Sequence, residues 1–325
     1  MNTKASAEEV EVYLAEIEAY IDTVGSAVLS AYNISLGGDI SMNFRYTAPS
    51  DILEKFPNAY LEFIIPSTTG NKTVQIYLKD ATPDSEGRFV FTVALAAAQM
   101  ADTVTLRLIY DENTVGKTYQ TSVREYAGRI IDSEAMEQAY PGISELVRAM
   151  LNYGGYAQLH FDYHTDTLAN AGLYTAENDP VLNQPIADDS VMSITGAATG
   201  VKLSGWTISL LSETTARFYF ALSDTDIASL KFTVTSPSGV KQTLRAIKDG
   251  NLYRVDIANI GAGVLDKIYS IEVTNTVDGT SARIEFSAMC YVSNVLANST
   301  NTNLIDLAKA LKFYSNAAKA YLEQN

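Results

Sequence analysis

Cysteine is nearly missing from this chain: Cys290 is the only one in 325 residues, so no internal disulfide can brace it. Its apolar neighbours in Ala288 to Val292 point to a buried, inert thiol, and cysteine usage leaves the compartment open. Basic charge is also scarce. Lys and Arg number 23 against 38 Asp and Glu, and the net charge of −15 repels phosphate backbones and anionic membrane surfaces, which argues against nucleic acid and membrane as partners. No run approaches the ~18 apolar residues of a membrane span. Met1-Asn2-Thr3-Lys4 lacks the apolar core of a signal peptide, so the chain reads as a soluble domain excised from a larger protein. There is no G-x-S-x-G elbow, Walker loop, G-x-G-x-x-G fingerprint or C-x-x-C pair, and no H-E-x-x-H or EF-hand spacing. These absences leave catalysis and metal binding without a linear motif, and no cofactor is implied. Paired glycosidase carboxylates leave no such trace, since only their separation in space matters.

Repetition is what the chain does have. Leu146 to Phe161, LVRAMLNYGGYAQLHF, recurs as Leu307 to Leu322, LAKALKFYSNAAKAYL. Leu146/Leu307, Ala149/Ala310, Tyr153/Tyr314 and Ala157/Ala318 each match across 161 positions, and their steps of three and four mark one face of a helix. That face is a packing seam. Gly154-Gly155 weakens the first copy by ~1 kcal/mol per glycine relative to alanine, which predicts close approach of another backbone there, and the small Ser315-Asn316 stand at the same place in the second. Leu203 to Leu210 likewise overlays Leu29 to Leu36, with Trp206 on Tyr32, and Phe218 then falls on Phe44.

Composition of 47% hydrophobic and 19% charged residues is globular, and the length fits about two domains. Ser6 and Glu9 form a capping box ahead of Val10, Tyr13, Leu14, Ile17, Tyr20 and Ile21, predicting a leading helix within residues 1–25. From Val28 the period falls to two. A hairpin turning at Gly37-Gly38-Asp39 is followed by strand-like runs at Tyr60 to Ile65, Thr73 to Leu78, Arg88 to Val93 and Thr103 to Tyr110, the rhythm of an antiparallel sandwich. Ala94 to Met100 reads as a short helical excursion. Ser122 and Glu125 cap a further helix before the Pro141-Gly142 break. The expected fold is α+β: an internal duplication of two lobes, each an antiparallel β-sandwich with a cluster of helices. The first module occupies 26–164, a connecting segment 165–189 and the second module 190–325.

His160 and His164 would share a helix face if the helix ran that far, but no metal-ligand pattern surrounds them, and Tyr321 replaces His160 in the second copy. Asp162, Asp166, Glu177, Asp179, Asp188 and Asp189 miss the spacing of a calcium loop and read as a solvated linker. The 20 tyrosines and one tryptophan are more telling, because a flat apolar ring with a polar tip suits a sugar whose C–H groups line its faces. Tyr126, Tyr153, Tyr291 and Tyr314 keep their places in both copies and are assigned to packing. Trp206, Tyr32, Tyr156, Tyr163 and Tyr174 are the candidates for ligand contact, with burial at the sheet end the alternative for Trp206 and Tyr32.

SVREYAGRII, LVRAMLNYGGYAQLHF and DYHTDTLANAGL, with the paired strand opening, resemble a module that recurs in secreted and cell-surface proteins of Gram-positive gut anaerobes. The resemblance covers nearly the whole chain, twice. It extends to modules of amylosome scaffoldins and starch-adherence proteins, and implies a non-catalytic, monomeric carbohydrate-binding module at the bacterial cell surface. Such a module would hold starch or a maltooligosaccharide, an α-1,4-glucan, in a groove between two lobes. Similar modules also serve as protein-binding adhesin parts or spacers, and a glycoside hydrolase is the third alternative. No binding residue is carried over by the resemblance.

Overall fold

A computed structural model of the chain describes residues 27–36, 40–186, 188, 190–210 and 214–324, with the backbone alone at 11–13 and 20–21. Period-two segments become antiparallel strands. β1 (Glu11–Tyr13), β2 (Tyr20–Ile21), β3 (Val28–Ser35), β4 (Ile40–Thr47) and β7 (Phe89–Leu95) form one sheet, in which β1 and β2 both pair with the outer edge of β3. β5 (Tyr60–Ser67), β6 (Gly70–Tyr77), β8 (Val104–Asp111) and β9 (Thr114–Thr121) form a second in the order β6-β5-β8-β9. In β7 the alternation is plain: Phe91, Val93 and Leu95 are buried while Thr92 and Ala94 face water. Phe44 and Phe63 bring the two sheets together, with ring centroids 5.5 Å apart.

The second half follows the same plan. β11 (Leu203–Leu210), β12 (Thr214–Phe220), β15 (Ile247–Asp249) and β16 (Leu252–Ile257) make a third sheet; β10 (Ser193–Ala197), β13 (Leu230–Thr235), β14 (Lys241–Leu244), β17 (Tyr269–Asn275) and β18 (Ser281–Phe286) make the fourth. The order β11-β12-β16 repeats β3-β4-β7, and β14-β13-β17-β18 repeats β6-β5-β8-β9. Phe220 and Phe232 meet at 5.2 Å between these sheets.

A short helix, α1 (Ile52–Lys55), lies between β4 and β5, and each half ends in helices. α2 (Val123–Ile131), capped by the Ser122 hydroxyl accepting from the Glu125 amide at 2.9 Å, precedes α3 (Glu134–Ala139) and α4 (Ile143–Phe161). α6 (Ala288–Asn298) and α7 (Thr302–Gln324) close the second half. Tyr153 and Tyr314 are buried, as the matched stripe predicts, but against each other rather than each against its own sheet: their rings stack at 5.6 Å and 15°. α4 and α7 run antiparallel, since Asn303 near the start of α7 donates to the Leu159 carbonyl near the end of α4 at 3.1 Å, while Gln324 lies beside Gly142. The buried apolar residues of both halves thereby join in one continuous cluster.

Three expectations are corrected. The leading helix does not hold where residues 1–25 are described: Glu11–Tyr13 and Tyr20–Ile21 are strands, because Val, Tyr and Ile suit a sheet and the edge of β3 offers unpaired backbone groups. The Ser6–Glu9 box and the Gly37-Gly38-Asp39 turn lie outside the described residues. Residues 165–189 are not a solvated linker throughout: Ala169 and Val181 are fully buried, and α5 (Pro180–Asn183) sits within the segment. The excursion after Ala94 shrinks to a 3₁₀ turn at Ala97–Gln99. Gly154 does permit a close approach there, since a Cβ on it would lie 3.1 Å from the Ala97 carbonyl oxygen and 2.7 Å from Met100 Sδ. In α7 the equivalent Ser315 donates to the Ala262 carbonyl at 3.0 Å.

Candidate functional site

A polar cluster lies where α4 meets residues 162–183. α4 stops at Phe161 because Asp162 takes a left-handed conformation (φ 51°), and His164 follows with φ 43°. His164 therefore lies beyond the helix and shares no face with His160. This reversal lays Tyr163 and His164 on Asp102: the Tyr163 hydroxyl donates to Oδ2 at 2.5 Å and His164 Nδ1 lies 2.8 Å from Oδ1. Tyr163 also reaches the Pro66 carbonyl at 3.2 Å. An Asp–His pair orients the base of a catalytic triad. Here the other requirement is unmet, as His164 Nε2 has no hydroxyl or thiol partner among the described residues.

Further back along α4, Asn152 and Tyr156 face Asp179, which is buried and acts as a hub. It accepts from Tyr156 Oη at 2.7 Å, from Asn152 Nδ2 at 3.1 Å and from the Val181 amide at 2.9 Å, the last as N-cap of α5 with Pro180 at its first position. Asn170 Nδ2 donates to Asn152 Oδ1 at 2.7 Å. Gln158, fully buried, accepts from the Ala169 amide and donates to the His164 and Thr167 carbonyls. Burial raises the pKa of Tyr156 and Tyr163, and the carboxylates they donate to raise it further, so both stay protonated donors. Burial lowers the pKa of His160. The carboxylates of this cluster are held by donors from the chain itself.

The five aromatic candidates do not gather on one surface. Tyr32 is core, stacked on Phe44 at 5.7 Å and beside Tyr126 at 5.2 Å. Tyr156 and Tyr163 are buried with their hydroxyls consumed as above. Tyr174 is half-buried, and desolvation, with Glu145 nearby, pushes its hydroxyl up to about 12. Trp206 is half-buried and lies parallel to Phe218 at 5.4 Å, with Phe286 and Tyr291 at its edges. Its ring partners all belong to the second half. Of the acidic residues read as solvated, Asp188 is also engaged: Lys312 Nζ lies 2.5 Å from its carboxylate. No group of three or more potential metal ligands occurs among the described residues.

The roles of Asp102, Asp179, Asn152 and Gln158 were not read from the sequence. Asp179-Pro180 carried the signature of an N-cap followed by proline at the first helical position, and Asn152 and Gln158 interrupt the otherwise apolar face of α4. No protein-family model matches the chain, and no curated protein matches it.

Proposed function

We propose that the protein is a rigid, non-catalytic module of a surface-displayed protein, built by internal duplication of a β-sandwich with appended helices. The repeated strand orders and the offset repeat of the α4 and α7 sequences support the duplication; the Phe44–Phe63 and Phe220–Phe232 contacts support two sandwiches. The observation that carries the non-catalytic reading is the consumption of the polar cluster. Asp179, Tyr156 and Gln158 spend their hydrogen bonds on tying residues 164–181 to α4, and Tyr163 spends its own on Asp102 and the Pro66 carbonyl, so these groups of the cluster are turned inward rather than toward solvent.

The ligand that the family resemblance implies is α-1,4-glucan. A specific observation favours a second reading, a protein-binding or spacer module: four of the five aromatic candidates pack in the interior or on neighbouring rings, so they offer no open platform for a sugar face. Pull-down on insoluble starch followed by a reducing-sugar assay separates these readings. Retention without released sugar supports the glucan module, passage through starch supports the second reading, and released reducing sugar overturns both.

A further inference from the structure

We propose that the outer edge of β11 is a strand-addition site for an extended peptide segment of another polypeptide, with the apolar alternation of this chain's own residues 10–21. The observation is a mismatch between two edges that the fold otherwise builds alike. β3 and β11 each pair inward with the next strand, Tyr32 opposite Phe44 and Trp206 opposite Phe218. Each slips register at the same point, between Leu29 and Ala31 and between Leu203 and Gly205. Their inner surroundings match too, with Tyr126 of α2 beside Tyr32 and Tyr291 of α6 beside Trp206.

The outer sides differ. β3 is covered by β1 and β2, whereas the outer edge of β11 pairs with no strand among the described residues. Burial follows the cover: Leu29 and Tyr32 are 0% and 2% exposed, while Leu203 and Trp206 in the same places are only half-buried. β11 thus presents apolar side chains beside a row of unpaired backbone N–H and C=O groups. Other edges are guarded. β6, β9, β14 and β15 each carry a lysine, β10 is bent at Gly196 (φ 72°), and β7 ends in a bridge from Phe89 to Pro83. LSGWTISL has neither charge nor proline to repel a partner.

The occupant is read from the edge that is filled. β1 lies antiparallel on β3 with Glu11 opposite Ser35 and Tyr13 opposite Asn33. The matching positions on β11 are Ser209 and Thr207. A strand laid there would take affinity from main-chain bonds and selectivity from alternate apolar side chains packing beside Leu203 and Trp206. This inference stands apart from the ligand reading above, since it uses neither a glycan nor the α4 cluster.

The test is titration of the full chain with a synthetic peptide of residues 9–23, following Trp206 emission and amide hydrogen exchange. We expect a saturable blue shift and exchange about tenfold slower across residues 203–210, with no effect from a peptide carrying proline at Val12 and Tyr20. An unchanged emission and unchanged exchange at millimolar peptide, with the protein folded by circular dichroism, would overturn the proposal. So would protection confined to 28–35, which would mean exchange with the chain's own β1 and β2. Protection of 203–210 that rises with protein concentration in the absence of peptide, with a dimer in sedimentation, would reassign the edge to a second copy.

Discussion

Replacing Tyr153 by alanine tests whether the two halves fold as one. The ring is buried at the seam and stacked on Tyr314 at 5.6 Å and 15°. Truncating a buried aromatic to alanine costs ~3–5 kcal/mol, and the stacked pair accounts for ~0.5–1.5 kcal/mol beyond area. Trp206, the only tryptophan, contacts neither α4 nor α7 through its ring partners, so its emission reports the second half independently of the mutated helix. Urea unfolding followed by Trp206 emission and by far-ultraviolet circular dichroism should give one coincident transition in the parent. In Tyr153→Ala both probes should lose the same ~3–5 kcal/mol, although the substitution lies in the first half. A double-mutant cycle with Tyr314→Ala should return a coupling of ~1 kcal/mol, and Tyr153→Phe should stay within ~1 kcal/mol of the parent. If the Trp206 transition keeps its midpoint while part of the dichroism is lost earlier, the halves are independent and the seam does not couple them.

Asp179→Ala should destabilise the fold by ~2–4 kcal/mol, because Tyr156 Oη, Asn152 Nδ2 and the Val181 amide lose their buried acceptor; urea midpoints would show it, and a neutral result would mean that water replaces the carboxylate. Gly155→Ala should destabilise despite a gain of ~1 kcal/mol in helix propensity, since the new Cβ would collide with the Asn170 side chain, which is itself held by Asn152; a higher melting temperature would refute the packing. Burial holds the Tyr153 and Tyr314 hydroxyls above the ordinary tyrosine range, so their stabilisation is complete below about pH 10 and is lost as pH rises through their folded values; an alkaline absorbance titration should show both, together with Tyr119, Tyr156 and Tyr163, ionising only on unfolding. Burial alone would raise Asp188, but hydrogen bonds from Lys312 and Ser190 outweigh it and hold the carboxyl below its usual value. Its contribution is present above about pH 4 and lost as pH falls, so the ~3 kcal/mol penalty of Lys312→Met at neutral pH should shrink in acid.

How much of this was legible in the chain depends on the range of the interaction. Ser122 capping α2, the alternation of β7 and the helical stripes of α4 and α7 are local, and residues within a turn or two specify them. The strand Thr114–Thr121 went unread because β9 is an edge with one polar face, and its pairing with β8 supplies what its own pattern lacks. Glu11–Tyr13 and Tyr20–Ile21 misread for a related reason: Tyr13, Tyr20 and Ile21 fit a helical period, but the open edge of β3 rewards extension. The burial of Tyr156 and Tyr163 was hidden on the same axis. Nothing in the types Tyr156 and Tyr163 distinguishes a ring waiting for sugar from one whose hydroxyl closes on Asp179 or Asp102, because both acceptors lie tens of residues away in sequence.

The stacking of Tyr153 on Tyr314 explains why the repeated helices were the strongest signal in the chain. α4 and α7 are antiparallel, with Leu159 near Asn303 at one end and Gly142 near Gln324 at the other, so residue numbers fall along one helix as they rise along its partner. Residues 161 positions apart in sequence can then meet at only one level, and the stacked tyrosines mark it. Tyrosine meets tyrosine there, as like residues meet on the axis of a two-fold dimer, but each ring can be changed separately. Immediately after the stacked pair the residues differ: Gly154 makes room for Ala97 and Met100, while Ser315 bonds the Ala262 carbonyl. The seam keeps the stripe that both copies share and leaves each outer flank to fit its own half, which is why Leu146, Ala149, Tyr153 and Ala157 match in sequence while Tyr156 and His160 do not.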